Sequence, residues 1–197
     1  MEHHSFSNQT FIADELKGQE YTQCTFTHCK FIGTKLRFTS FTDCTFDGCD
    51  LSGAVFDMTS FTRCAFPESK LSNLDFSDVQ VKACNFSRAL LKNCVFQQLK
   101  PGNSHERKKL DLSASIFTEA DLSGAVFSFC DLKQVLFRNA DLSSVVFDRC
   151  NVKEADFSQA VITGITFTDC TIERTILDVD GFITYGFTKG FILEQIH

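Results

Sequence analysis

Large apolar residues occupy every fifth position through most of this chain. Each fifth residue from Phe6 to Phe96 is large and apolar, and a second series with the same spacing runs from Leu112 to Ile192. Of the 23 Phe residues, three lie outside these series, namely Phe38, Phe129 and Phe191. A period of five matches neither an α-helix, which repeats every 3.6 residues, nor a simple strand, which repeats every two. An internal repeat therefore determines the fold.

Each five-residue repeat has two further recognisable positions around its large apolar residue, which we call the centre. Two residues before the centre lies a small position, occupied mostly by Cys, Ala, Ser, Thr or Val. Two residues after it lies a turn position, which holds six of the ten Gly and several Asn and Asp. A type II turn needs a positive φ at its third residue, which Gly and Asn accept. Each repeat therefore predicts a short extended piece and a tight turn, and a chain that turns this way every five residues coils into a solenoid.

The order of residue types within a repeat resembles the pentapeptide-repeat proteins. Residues 120–124 (ADLSG) and 140–144 (ADLSS) match the family pattern of a small residue, Asp or Asn, Leu or Phe, and two polar residues. The resemblance covers about residues 4–182. It implies an all-β fold, a right-handed quadrilateral β-helix with four repeats per coil, and hence about eight coils.

The repeat is interrupted once, at about residues 97–111. The centres Phe96 and Leu112 are separated by three repeats plus one residue, which is most simply explained by about eleven inserted residues in one β-helix. We expect residues 1–5 to form an entry tail, 1–180 one domain and 181–197 a cap. The interruption is either a solvated loop or a partner contact, since loops on rigid scaffolds often carry function. The candidate contact residues are Lys100, Pro101, Gly102, His105, Arg107, Lys108 and Lys109.

The C-terminal segment is unusually apolar and loses the small positions. A solenoid exposes the core and the backbone of its last coil, so it needs a cap, and an apolar cap is also a candidate interface. Because the pentapeptide-repeat family often dimerises through this end, we expect a homodimer. The predicted interface residues are Phe182, Tyr185, Phe187, Phe191, Ile192, Leu193 and Ile196.

All ten Cys residues occupy the small position, where Ser, Thr, Ala and Val also occur. Free Cys packs as a small apolar side chain, so we interpret these residues as reduced core thiols. A metal site is the alternative, but no CxxC pair is present. Reduced thiols favour the cytoplasm. Neither a signal peptide nor an apolar run of transmembrane length is visible, so we expect no membrane partner and no cofactor.

The charge distribution is uneven along the chain. Residues 1–111 hold 13 acidic and 13 basic side chains, whereas residues 112–197 hold 12 and 6. This balance argues against a nucleic-acid partner, which would favour a basic face, and is compatible with binding to a basic DNA-binding groove. The candidate acidic face consists of Asp111, Asp121, Asp131, Asp141, Asp148 and Asp156. The alternative is structural, because Asp or Asn before a centre can bond the nearby backbone.

Two aromatic residues, Phe38 and Phe129, lie at turn positions, where we expect them to face solvent. They are either partner contacts or exposed by chance. Catalytic patterns are not evident: the sequence contains no phosphate-binding Gly loop and no HExxH motif, and its five His are scattered. We therefore expect a protein that is not an enzyme.

Within the pentapeptide-repeat family, the chain is most similar to a Phe- and Cys-rich branch of about 200 residues. This branch comprises the Qnr quinolone-resistance proteins, the mycobacterial relative MfpA, and the microcin and albicidin self-immunity proteins. The resemblance implies binding to a type II topoisomerase, DNA gyrase or topoisomerase IV, as a DNA mimic that protects it from drugs or toxins. Qnr proteins have two loops, whereas this chain has one interruption. The alternative function is a scaffold for an unrelated protein partner.

Overall fold

The computed structural model describes residues 1–97 and 109–194, which form one β-helix of about eight coils followed by a helix. The strands are two to four residues long because each face of a coil holds a single repeat. In chain order the elements are β1 (Ser5–Ser7), β2 (Glu20–Thr22), β3 (Thr25–Thr27), β4 (Lys35–Arg37), β5 (Ser40–Thr42), β6 (Thr45–Asp47), β7 (Val55–Asp57), β8 (Thr59–Thr62), β9 (Val79–Lys82), β10 (Val95–Gln97), β11 (Leu110–Asp111), β12 (Val126–Ser128), β13 (Cys130–Asp131), β14 (Val146–Asp148), β15 (Thr166–Thr168) and α1 (Val179–Thr188).

All strand pairing is parallel and joins residues twenty positions apart, except across the interruption. Phe6 pairs with Phe26 and Phe41 with Phe61, for example. Four repeats therefore complete one coil, and the predicted four-sided β-helix is confirmed. We name the four faces by the first centre on each: the Phe6, Phe11, Leu16 and Tyr21 faces.

The turn positions adopt the left-handed conformation that the sequence predicts. Gly53 has φ +67° and Gly164 has φ +72°, and non-Gly residues such as Arg88 (φ +60°) adopt the same conformation. The exception among the described repeats of the β-helix is Asp78, which has no positive φ. Asp78 directly precedes β9, where the regular pairing of coils also fails.

The core is a set of stacked centre residues. Rings in one column lie nearly parallel, whereas rings on neighbouring faces meet edge to face, the two arrangements that aromatic quadrupoles favour. The stacks continue across the interruption, with ring centroids 5.0 Å apart for Phe86 and Phe117 and 4.7 Å apart for Phe96 and Phe127. The two series therefore share one core.

Most small positions are buried, and their thiol or hydroxyl groups donate to backbone carbonyls of the coil below. The Sγ of Cys64 donates to the carbonyl oxygen of Phe41 at 3.4 Å, and the Oγ1 of Thr34 donates to that of Phe11 at 2.8 Å. All ten Cys are free thiols, and nine are buried. Burial raises the pKa of Cys49 and of Cys94 to about 12, so these two thiols stay protonated at neutral pH.

Both ends of the chain differ from the sequence-based expectation. The expected entry tail is part of the first coil, because Glu2 pairs with Thr22 and the backbone N–H of His3 donates to the Thr22 carbonyl at 3.0 Å. At the other end the β-helix stops after Leu177, and the late members of the series belong to α1 or follow it. The Asp178 carboxylate caps α1 by accepting from the Gly181 N–H at 2.7 Å.

The sequence predicted a cap at 181–197 but not its helical form, so Phe182, Phe187 and Ile192 keep the five-residue spacing without being centres of a coil. The small positions that would serve these centres hold Asp180, Tyr185 and Gly190. A further coil would have to bury Asp180 and Tyr185 in positions with room for a small side chain only. The exposed last coil is instead covered by α1, whose Tyr185 ring packs edge-on against Phe167 at 5.7 Å.

Candidate partner-binding surface

The interruption adds eleven residues to one coil. Asn85 pairs with Ile116, Leu90 with Asp121 and Val95 with Val126, each 31 residues apart instead of twenty. The predicted insertion of about eleven residues is therefore confirmed. Three faces cross it in register, so the rod is continuous.

The fourth face, the Tyr21 face, is where the ladder breaks. Strands β9 and β11 face each other but do not pair. The backbone N–H of Ala83 has no acceptor within 1–97 and 109–194, whereas its counterpart one coil below, the Arg63 N–H, donates to the Lys82 carbonyl at 2.8 Å. Gln97 ends β10 and residues 110–111 form β11, so these edges of the expected loop belong to the β-helix.

A buried hydroxyl marks the same break. In its column, Cys44, Cys64 and Cys84 donate to the centre carbonyls of Tyr21, Phe41 and Phe61. The next member, Ser115, would donate to Val81 in β9, but its Oγ is the one buried side-chain polar atom without a partner among the described residues. The break therefore reaches from the backbone ladder into the core.

A groove with a volume of about 270 Å³ lies between β9 and β11. It is lined by Val79–Lys82 and by 109–111. Of the seven predicted loop residues, Lys109 thus lies at the groove, and the other six lie outside the described residues, namely Lys100, Pro101, Gly102, His105, Arg107 and Lys108.

The two predicted exposed aromatics lie on the edge between the Leu16 and Tyr21 faces, which also carries the insertion. We call it the insertion edge, and its described turn positions from the second coil to the seventh are Phe38, Met58, Asp78, Phe129 and Arg149. Phe38 is 54% exposed and the adjacent Met58 is 68% exposed. Phe129 is half-buried, and the Arg149 guanidinium lies 4.5 Å from its ring centroid. At about 4.8 Å per coil, this surface extends about 19 Å from Phe38 to Phe129.

The six acidic candidates do not share one face. Asp111 and Asp131 are stacked on the Tyr21 face and Asp121 and Asp141 on the Phe11 face, as the twenty-residue spacing predicts. The remaining two are separate, because Asp148 lies on the Leu16 face and Asp156 on the Phe6 face.

Several of these carboxylates have structural partners. Asp121 pairs with Lys92 at 2.9 Å, Asp148 with Arg149 at 3.1 Å and Asp156 with Arg138 at 2.5 Å. Burial opposes ionisation of Asp156, which is 2% exposed, but hydrogen bonds from Ser158 and Arg138 outweigh it and hold its pKa below the usual range. Asp111 and Asp141 accept bonds from the backbone N–H groups of Ser113 and Ser143.

The predicted interface at the C-terminus is an apolar surface on and after α1. Phe182 is 70% exposed, and Phe187, Phe191, Ile192 and Leu193 are also exposed, whereas Tyr185 is half-buried. These six residues line an open groove of about 420 Å³. Ile196 lies outside the described residues.

No group of three or more His, Cys, Asp or Glu in 1–97 and 109–194 is arranged to hold a metal ion. Within the same ranges, no helix is long and apolar enough to cross a membrane.

Comparison with known proteins agrees with the geometry. The family model described as the pentapeptide repeat region matches residues 19–96 and 108–177. The chain belongs to the pentapeptide-repeat family. No curated protein matches it.

Among solved structures, this pentapeptide-repeat protein is similar to full-length QnrB1, a plasmid-mediated fluoroquinolone resistance protein. The TM-score is 0.66 at 18% identity, over 97% of this chain and 99% of QnrB1. A trypsin-treated QnrB1 variant gives a TM-score of 0.60 at 17% identity, over 98% of this chain and all of that chain. At these identities the similarity shows the fold.

Two parts of this surface were missed by sequence reasoning. Met58 lies one coil from Phe38 at the same turn position, so the twenty-residue spacing could have found it. The groove beside Lys82 could not be found, because each residue of β9 follows an ordinary repeat pattern and only the pairing of coils reveals the break.

Proposed function

We propose that this pentapeptide-repeat protein binds a type II topoisomerase, DNA gyrase or topoisomerase IV, and protects it from quinolone-like drugs or toxins. The observation that carries the proposal is the single eleven-residue insertion in an otherwise regular β-helix. Phe38, Met58 and Phe129 lie along the same edge, and the first two are exposed. Exposed large side chains on a rigid scaffold are suited to protein contacts. The full-length similarity to QnrB1, a fluoroquinolone resistance protein, supports the same assignment.

The charge distribution bears on how the protein approaches its partner. The acidic residues of the second half are spread over four faces and partly paired, so they do not form one DNA-like strip. We propose that the negative net charge of 6 attracts the basic DNA-binding groove of the enzyme at long range. The insertion edge then makes the specific contact, and this mode requires no catalysis, nucleic acid or cofactor from the protein.

Two further properties belong to the proposal. Ten free thiols are consistent with action in the cytoplasm. The exposed apolar surface of α1 and 191–193 is suited to a homodimer, in which two rods would present two insertion edges to the partner.

The test is a supercoiling assay with DNA gyrase and a fluoroquinolone, with and without the protein. We expect micromolar wild-type protein to restore supercoiling that the drug inhibits. A variant lacking 98–108 returns every coil to twenty residues and should not restore it, while keeping its fold. Phe38→Ser is expected to weaken rescue, and Ile32→Ser, which alters an exposed apolar residue on the Phe11 face, serves as its control. If the wild-type protein neither rescues nor inhibits gyrase or topoisomerase IV, the assignment is wrong and the scaffold alternative remains.

A further inference from the structure

The groove between β9 and β11 differs in chemistry from the rest of the surface. It is about 270 Å³ in volume, and its walls are two strand edges that pair with their other neighbours but not with each other. That volume is large enough for several waters or one side chain of moderate size.

Two lysines at this groove have no counter-charge among the residues that the structure describes. Lys82 and Lys109 both line it, and neither forms an ion pair within the described ranges. Several other described cations do pair with acids one coil away, as Arg63 does with Asp43 and Lys153 with Glu173, both at 2.7 Å.

The acid at the groove is already engaged. Asp111 accepts from the backbone N–H of Ser113 at 3.0 Å and from its hydroxyl at 2.6 Å through the same oxygen. These bonds engage one of its two oxygens, and within the described ranges Asp111 forms no ion pair with Lys82 or Lys109. The groove retains an excess of positive charge on an acidic protein.

The backbone adds an unused donor. Two residues occupy the same turn position as Ala83 in the adjacent coils, and their N–H groups are both bonded. The Ala114 N–H, one coil above, donates to the Lys133 carbonyl at 3.3 Å, and the Arg63 N–H, one coil below, donates in the same way. The Ala83 N–H lies between them, directly after the groove residue Lys82, and has no acceptor among the described residues because the ladder is open beside it. A backbone N–H and two ammonium groups together favour an anionic ligand with more than one acceptor oxygen.

We propose that this groove binds a carboxylate side chain, Asp or Glu, presented by a protein partner. A carboxylate has two acceptor oxygens, so it can bond the Ala83 N–H with one and a lysine with the other. This inference rests on the proposed function only in assuming that the carboxylate belongs to a protein partner. Its test requires no topoisomerase.

Carboxylate binding is measurable by NMR titration of the full-length protein, labelled with ¹⁵N and ²H, with a capped tripeptide whose central residue is glutamate. We expect saturable shifts of the amides from Gln80 to Ala83 and at Lys109 and Asp111. The matched tripeptide with central glutamine should bind roughly tenfold more weakly, since it lacks the charge. The double variant Lys82→Gln/Lys109→Gln should bind the glutamate tripeptide more weakly by a similar factor. The control variant Lys30→Gln, on the Phe11 face, should bind it as tightly as the wild type does.

Three results would overturn the proposal. One is the absence of saturable shifts, and another is equal binding of the glutamine tripeptide, which would indicate recognition of the peptide backbone. The third is binding of inorganic phosphate about tenfold tighter than the glutamate tripeptide, which would identify a free-phosphate site. Hydrogen exchange supplies an independent check: the Ala83 amide should exchange rapidly in the free protein, and protection there would mean that the chain itself fills the groove.

Discussion

At the scale of single residues, the small position has two tasks. Its side chain leaves room for the stacked rings, and its hydroxyl or thiol donates to a centre carbonyl in the coil below. Ser69 donates to Phe46 at 2.8 Å in the way that Cys49 donates to Phe26 at 3.3 Å. This shared geometry explains why Cys, Ser and Thr occur interchangeably there.

The unpaired hydroxyl of Ser115 gives a stability prediction. Because a buried hydroxyl without a partner costs about 1–3 kcal/mol, Ser115→Ala should leave the free energy of unfolding unchanged or raise it. Ser69→Ala removes a satisfied buried bond and should lower it by about 1 kcal/mol. Urea unfolding of both variants checks the prediction, and a larger loss for Ser115→Ala than for Ser69→Ala would contradict it.

The pairing of Asp156 with Arg138 and Ser158 gives a pH-dependent prediction. Asp156→Asn should cost about 1–3 kcal/mol at pH 7, because a buried charged acceptor is lost. Since the folded pKa of Asp156 is lowered, its contribution is present above the unfolded pKa of about 3.9 and is lost as pH falls through the folded pKa. The stability gap between wild type and variant should therefore narrow below about pH 4. Asp141→Asn, which alters a carboxylate with no ion pair to any described residue, is the control, and a gap that widens in acid would refute the assignment.

At the scale of elements, no strand has more than four residues, and each depends on its neighbours in the coils above and below. Parallel pairing of this kind fixes the register because a shift by one residue would turn the centres outward. The insertion is tolerated because the stacks Phe86–Phe117 and Phe96–Phe127 continue past it. The lost backbone pairing, between β9 and β11, is confined to the Tyr21 face.

Removing residues 98–108 should repair that face. In the shortened chain Lys109 takes the turn position after Phe96, Leu110 the small position and Leu112 the next centre, so β9 and β11 can pair. We expect a melting temperature at least equal to that of wild type, together with slower hydrogen exchange at Ala83. A shortened protein that melts lower, or in which Ala83 still exchanges rapidly, would show that the insertion does not cause the break.

At the scale of the whole molecule, the two ends of the rod are closed differently. The first coil includes Glu2, which pairs with Thr22, whereas the last coil is covered by α1, whose outer surface is apolar. An exposed apolar surface of this kind is typical of protein interfaces.

The C-terminal surface predicts a dimer. We expect light scattering after gel filtration to give twice the chain mass of 22.2 kDa at micromolar concentration. Phe182→Glu/Phe187→Glu should shift the protein to monomer, because two charges would be buried in the interface. Ile32→Glu, at an exposed position near the other end, should remain dimeric. A wild-type monomer at micromolar concentration would rule the interface out.

More of the fold than of the candidate site could be predicted from the sequence. The five-residue spacing identified the centres, the small positions, the turns and the length of the insertion, because these depend on local geometry repeated many times. The helix α1 was missed, since Phe182 and Phe187 keep the spacing although Asp180 and Tyr185 cannot fill small positions. The placement of Phe38 and Phe129 on one edge followed only once the size of a coil and of the insertion were known.

The sequence by itself determined a solenoid of five-residue repeats with one insertion and an apolar end, because one large residue in every five has to be buried. The four sides of the solenoid were implied by the resemblance to the pentapeptide-repeat family, not by the spacing. Only the tertiary structure decided which coils stay paired across the insertion. It showed that three faces keep their ladder, that the fourth opens beside Lys82 and Lys109, and that the acidic residues are divided among four faces. These outcomes depend on contacts between residues twenty or more positions apart, and no local pattern contains them.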